Sequence, residues 1–303
     1  MRQFILVTSQ WQPFYKLVMI NKNRFCKFYL VSMINKLIKS TIVSLGIEKY
    51  SIDLDLLYPN PKDREQFEKR WIDFYNSDLS NKDIMLNDGK ILTYYSESVI
   101  PTVENDRPSL LFVFGNPAPH SIKAGIPFAY EGNNREHRIW SVLKKTSLID
   151  FHKPHSDVNL GDLNLLRKHQ LHNLEYDSKY KVGFIQYFSM PSTPSKAPWT
   201  GVNGLFRLFR KPAMKLIEET ELIRIKKIVE NFMPRDGTIV VFQKDAYNGL
   251  KSAQMPKYSA DLIRNGKLTG NSIFGNKHKL ICAPPTRLLY SKAMFNILND
   301  LTS

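Results

Sequence analysis

Leu110 to Phe128 reads LLFVFGNPAPHSIKAGIPF. The apolar run Leu110 to Phe114 gives way abruptly to Gly115, Asn116 and Pro117, and a second turn follows at Gly125 to Pro127 before Phe128. A short, unbroken apolar run bounded by turn residues reads as a strand buried on both faces. A strand that stops in a Gly and Pro loop is how an open α/β sheet delivers polar side chains to its carboxyl edge, where such folds bind ligands. Asn116 is therefore the expected centre of a functional site.

Strands and helices alternate from Arg107 onward. Arg138 to Lys145 can begin a helix, and Val182 to Phe188 reads as a second strand that ends in Met190, Pro191, Ser192, Thr193 and Pro194. Met214 to Phe232 carries an apolar stripe at Leu216, Ile217, Leu222, Ile225, Ile228 and Val229, the spacing of a surface helix. Thr238 to Phe242 and Lys279 to Cys282 read as third and fourth strands, and a helix through Phe295 and Leu298 closes the chain. This alternation predicts an α/β fold, a three-layer α/β/α sandwich around a short, mostly parallel, four-stranded sheet. The loops after the four strands then converge on one edge.

Upstream, three regions differ in charge. Seven bases and no acid precede Glu48, seven bases face twelve acids over 48–105, and 29 bases face 16 acids thereafter. The expected organisation is a basic N-terminal extension over 1–47, an accessory α+β segment over 48–104 and a main domain over 105–303. The extension has the composition of an organellar transit peptide and equally that of a dispensable segment, with Met19 and Met33 as alternative starts. Within the accessory segment, Asp63 to Tyr75 places Phe67, Trp71 and Phe74 at helical spacing, and Ile91 to Tyr95 reads as a strand after the Asn87-Asp88-Gly89 turn.

The net charge of +15 points to a polyanionic partner, nucleic acid being the commonest. Two cysteines, Cys26 and Cys282, make neither a disulfide framework nor a cysteine-based zinc site, so a reducing, intracellular setting is expected. That means nucleus or mitochondrion in a eukaryote and cytoplasm otherwise. No stretch is long and apolar enough to span a bilayer, so no membrane partner is expected. His152-x-x-His155 and His169-x-x-His172 have a chelating spacing but no accompanying carboxylate or cysteine pattern, so neither metal nor cofactor is expected. The sequence also lacks a G-x-G-x-x-G dinucleotide loop and a Walker loop.

VFGNPAP, with Phe128 twelve residues beyond Asn116 in GIPFA, resembles the first motif of the uracil-DNA glycosylase superfamily, in particular its branch acting on G·T and G·U mismatches. VGFIQYFSMPST resembles the family's second strand and loop, TIVVFQKDAYNG its third strand and following helix, and KLICAPPTRLL its final strand and DNA-intercalating loop. Order, spacing and strand context agree across roughly Pro108 to Leu298; residues before about 104 have no counterpart in the compact bacterial members. The resemblance implies a monomeric, monofunctional glycosylase of base excision repair that hydrolyses the N-glycosidic bond of a flipped uracil-like or mismatched base and leaves an abasic site.

In that reading Asn116 orients the attacking water, since an amide does not titrate but does hydrogen-bond. Gly115, Pro117, Phe128 and Ser192 line the base pocket, with Phe128 stacking on the flipped pyrimidine. Lys244, Thr286, Arg287, Leu288, Arg207 and Arg210 meet DNA, Leu288 as the wedge and Arg287 as a phosphate contact. Two positions depart from the family's pattern. Phe114 replaces the motif's first glycine, and Pro284 stands where active branches carry a histidine or asparagine, which suggests slower chemistry or another target base. A non-catalytic nucleic-acid binder of the same fold and a hydrolase of free nucleosides are the competing expectations.

Overall fold

The computed structural model describes residues 36–132, 135–152 and 158–303. The earlier part of the N-terminal extension, with Cys26, and His155 therefore lie outside the described residues.

The strands are β1 (Ile38–Ser44), β2 (Ile47–Asp53), β3 (Met85–Asn87), β4 (Ile91–Glu97), β5 (Ser109–Phe114), β6 (Asp150–Phe151), β7 (Tyr176–Asp177), β8 (Lys181–Gln186), β9 (Gly237–Val241), β10 (Thr269–Ser272) and β11 (Gly275–Cys282). All of β5 is buried, as is all of β8, so both strands need cover on both faces. They get it in a mixed five-stranded sheet of order β10-β11-β9-β5-β8. β5 is parallel to both β8 and β9, and β9 is parallel to β11. Along β5, Leu111 and Val113 join one apolar cluster while Leu110, Phe112 and Phe114 join another, so alternate side chains feed two cores on opposite sides of the sheet.

The expected four-stranded sheet needs correction. A fifth strand, β10, runs antiparallel to β11 at the edge. Its sequence, Thr-Gly-Asn-Ser, carries no apolar alternation, because its partly exposed edge position demands none. For the same reason β11 begins earlier than its apolar residues suggest, at Gly275. The helix expected over Met214–Phe232 is the second half of Gly201–Phe232, which breaks at Arg210, where φ is 67° and ψ 160°. Pro212 explains the restart, since proline suits a helix's first turn, where its missing N–H costs nothing.

A second, antiparallel sheet of order β1-β2-β4-β3 precedes the main one. Its β1–β2 hairpin spans the change of composition at Glu48, so part of the acid-free segment belongs to this sheet. The sheet buries Tyr50, Ile52, Leu92 and Tyr94 in the same cluster as Leu111 and Val113. The predicted aromatic helix, Pro61–Tyr75, buries Phe67, Trp71 and Phe74 and lies against the long helix. Beyond β4, Val99 pairs with Phe184 through N–H···O bonds of 2.9 and 2.8 Å, covering part of the otherwise open edge of β8.

At this seam Glu97 is 2% exposed, and burial pushes its carboxyl well above the usual range. Gln186 Nε2 donates to Glu97 Oε1 at 3.1 Å. Glu97 Oε2 and Gln186 Oε1, both buried, find no partner among the described residues. A proton on Glu97 supplies the donor that this acceptor pair lacks. Below about pH 4.3 folded and unfolded chains both carry that proton. Above it the unfolded chain releases the proton and the folded chain keeps it, so the group costs stability as pH rises. Glu97→Gln should therefore match the wild type in urea unfolding near pH 4 and exceed it increasingly toward pH 8; a pH-independent difference would refute a neutral Glu97.

Candidate functional site

The parallel pairing of β5, β8, β9 and β11 delivers the loops after them to one edge of the sheet. Backbone bonds then join neighbouring loops: Tyr187 N donates to Phe114 O and Phe188 N to Gly115 O, both at 2.9 Å, and Ser192 N donates to Pro117 O at 3.1 Å. On the other side Phe242 N donates to Val113 O at 3.1 Å, and Ala283 N to Val241 O at 2.9 Å. Gly115 sits where side chains close in. A Cβ there would lie 3.0 Å from Val202 Cγ2 and 3.2 Å from Gln243 Cγ.

Asn116 is half-buried in this junction. Its Nδ2 donates to Ser192 Oγ at 2.9 Å and reaches Met190 O at 3.3 Å and Pro117 O at 3.4 Å. Two of these partners are carbonyls, which only accept, so they fix the amide's orientation. Oδ1 consequently faces the other way, 3.9 Å from the point where a Cβ on Gly201 would stand. Ser192 is 2% exposed, so its hydroxyl serves Asn116 more than solvent. Asn116, Gly115, Pro117 and Ser192 are thus brought together as the sequence predicts.

Phe128 follows the short helix Pro119–Ala124 and takes φ 58°. For an aromatic residue a left-handed backbone is an outlier that costs on the order of 1–3 kcal/mol. Packing holds it there. Phe114 meets the Phe128 ring edge-on at 4.6 Å between centroids and stacks on Phe242 at 4.8 Å, while Trp140 Nε1 donates to Phe128 O at 3.0 Å. The residue standing where a glycine was expected, Phe114, is thus the buried support of the Phe128 ring.

His137 was not foreseen from sequence. Its ring lies 4.7 Å from Phe128, and its Nδ1 accepts from Ile139 N at 3.2 Å, capping the helix Arg138–Lys145. Burial pushes its pKa down to about 4, so it is neutral at physiological pH and acts as acceptor and packing surface. His120 lies between Asn116 and Phe128 in sequence, and burial likewise lowers its pKa. The only sequence signal for His137 is its place just before a helix start.

The other predicted residues distribute around this centre. Lys244 is exposed at the start of Lys244–Leu250, the helix that Gln243 Oε1 caps through Ala246 N at 2.8 Å. Thr286, Arg287 and Leu288 form a single 3-10 turn; Leu288 is 48% exposed and Tyr290 49%. Arg138 and Lys145 stand over the Tyr290 ring at 5.7 and 5.6 Å, so the apolar tip has basic flanks. Arg207 and Arg210 line a cavity between the Pro61–Tyr75 helix and the loop of residues 196–199. Among the described residues no group of three or more His, Cys, Asp or Glu is placed to hold a metal ion. His169 and His172 diverge: His172 turns inward, Nδ1 at 2.9 Å from Ile100 O, and His169 is exposed beside Glu175. No helix among the described residues is long and apolar enough to cross a membrane.

The Asn116–Ser192 contact should be measurable as coupling. Ser192→Ala and Asn116→Ala each remove the same bond, so in urea unfolding the double variant should be less destabilised than the sum, by about 0.5–1.5 kcal/mol. Additive losses would mean that the bond contributes nothing. No family model matches the chain, and no curated protein matches it in sequence.

Proposed function

We propose that this chain is a monofunctional DNA glycosylase built on a three-layer α/β/α core, hydrolysing the N-glycosidic bond of a flipped uracil-like or mismatched base. The observation that carries the reading is the pairing of one oriented amide with one propped aromatic ring at the carboxyl edge of the sheet. Asn116 spends its Nδ2 on the β8 loop and leaves Oδ1 as the acceptor for a water molecule. Phe128, half-buried, is held in a strained backbone conformation against Phe114, two residues before Asn116. A base in a duplex is out of reach, and flipping it costs a few kcal/mol, least for mismatched or damaged pairs. Stacking on an aromatic face returns about 1–3 kcal/mol.

In the reaction water oxygen bonds to C1′ of the sugar, the C1′–N bond breaks with its electron pair leaving on the base, the water's surplus proton passes to solvent, and the base anion takes a proton from solvent. Asn116 orients the water and does not take the proton. The products are the free base and an abasic site. Leu288, on its exposed turn beside Arg287, suits insertion into the space the base vacates, and the basic flank of Tyr290 suits the phosphates on either side. We assign Lys244 and Thr286 to the same strand-end surface. The net charge of +15 supports a DNA partner, and monomeric action in an intracellular compartment completes the proposal.

One observation favours a second reading, a non-catalytic binder of altered DNA. Pro284 is buried at the position where a polar side chain would meet the developing base anion, and a proline ring donates no hydrogen bond.

Oligonucleotides carrying U, T or hypoxanthine opposite G, incubated with the protein and then treated with alkali, distinguish the readings. Strand breaks are expected for at least one base, with Asn116→Ala slower by about 100-fold and Phe128→Ala weaker in binding. Tight binding without breaks for any base would favour the binder, and a fully active Asn116→Ala would overturn its assigned role.

A further inference from the structure

Arg207 and Arg210 meet residues of the accessory segment. They line an open cavity of about 690 Å³ together with Arg70, Asp73 and Asn76 from the accessory segment and Lys196 from the loop before the long helix. Four cations therefore meet there from two parts of the chain that are more than 100 residues apart in sequence. Among the described residues none of the four forms an ion pair, although Asp73 lines the same space. Asp73 and the carbonyl end of the Pro61–Tyr75 helix supply about one and a half negative charges between them, which leaves a positive surplus.

The arrangement is held, not loose. Arg70 Nε donates to Leu208 O at 2.7 Å, which fixes the guanidinium at the helix–helix contact. Arg207 lies over the Trp199 ring at 5.8 Å. Arg210 has φ 67° and ψ 160°, a region that only glycine occupies without strain. Burial works against the charge on Arg70, Tyr58 supports it, and the neighbouring Arg210 charge opposes it. A bound anion would relieve this crowding, and arginine forks match the oxygens of a phosphate.

We infer that this cavity is a phosphate-binding site, completed by the accessory segment through Arg70 and distinct from the chemistry assigned to Asn116. Two sources share that chemistry, a phosphodiester of a nucleic-acid strand and a free phosphate-bearing compound.

Calorimetric titration with pyrophosphate at low salt tests the site. Saturable binding is expected for the wild type, at least tenfold weaker for the Arg207→Gln/Arg210→Gly pair. Glycine at 210 relieves the backbone, so that variant should fold at least as well as its parent. A control pair, Lys226→Gln/Lys227→Gln, changes net charge equally on exposed residues of the same helix and should bind as the wild type does. Absence of saturable binding, or equal weakening in both pairs, would overturn the site. Duplex DNA binding across a salt series then separates the sources. A log–log slope shallower by about two in the Arg207/Arg210 pair identifies strand phosphates, and an unchanged slope in that pair, together with its tenfold loss of pyrophosphate binding, identifies a free compound. Asn116→Ala should leave pyrophosphate binding untouched, so failure of the glycosylase reading and failure of this site give different results.

Discussion

A buried ion pair between Glu221 and Arg224 holds the carboxyl end of β8, and the candidate site depends on where that end stands. Glu221 is 2% exposed, and its two oxygens divide their work. Oε1 accepts from both the backbone N and the hydroxyl of Ser189, and Oε2 accepts from Arg224 Nε at 2.5 Å. Arg224 then donates to the carbonyls of Gln186 and Tyr187, at 2.5 and 3.3 Å, so the pair grips the carboxyl end of β8 from both sides. Tyr94 adds a bond from the second sheet, its hydroxyl 2.9 Å from Ser189 Oγ. A buried pair of this kind contributes little net stability, but losing one partner leaves an unpaired buried charge and costs about 3–5 kcal/mol. What the pair determines is position. Three residues beyond Ser189 stands Ser192, which holds the Asn116 amide.

The candidate site is thus supported from beneath at two points. The β8 loop fixes the amide, and the stack of Phe242, Phe114 and Phe128 fixes the ring. Side chains that are locked by packing and hydrogen bonds need no reorganisation when a ligand arrives, which is the condition for positioning chemistry. The strained φ of Phe128 fits this pattern, since a backbone outlier persists only where its surroundings over-determine it.

The accessory segment contributes more than bulk. Its sheet closes the long helix's side of the core, its connection at Val99 pairs with the edge of β8, and its helix places Arg70 opposite Arg207 and Arg210. The same segment holds Glu97 against Gln186, a neutral contact beside the charged one at Ser189. Acidic overall, it nevertheless turns a cation toward the basic part of the chain.

The parallel strands β5, β8 and β9, the aromatic helix and the closing helix were legible in the sequence because each has an apolar run or a helical stripe imposed by burial on a known period. Grouping Gly115, Asn116, Pro117 and Ser192 was legible too, since parallel strands must open at one edge. β10 was not, because an edge strand of polar residues carries no period. Leu160–Asn173 carries no clear helical signal either: it buries Asn164, Arg167, Gln170 and His172, which breaks the apolar stripe that marks a helix. The cavity of Arg70, Arg207 and Arg210 arises from contacts between distant segments, and His137 meets Phe128 through the fold of the short connection between them. The amino-acid sequence by itself determined which strands lie at the centre and which loops share an edge, because burial and chain direction are local properties. Only the tertiary structure decided that Phe114 props Phe128 and that Arg207 and Arg210 share a cavity with Arg70 of the accessory segment, because side-chain partners depend on how elements pack together.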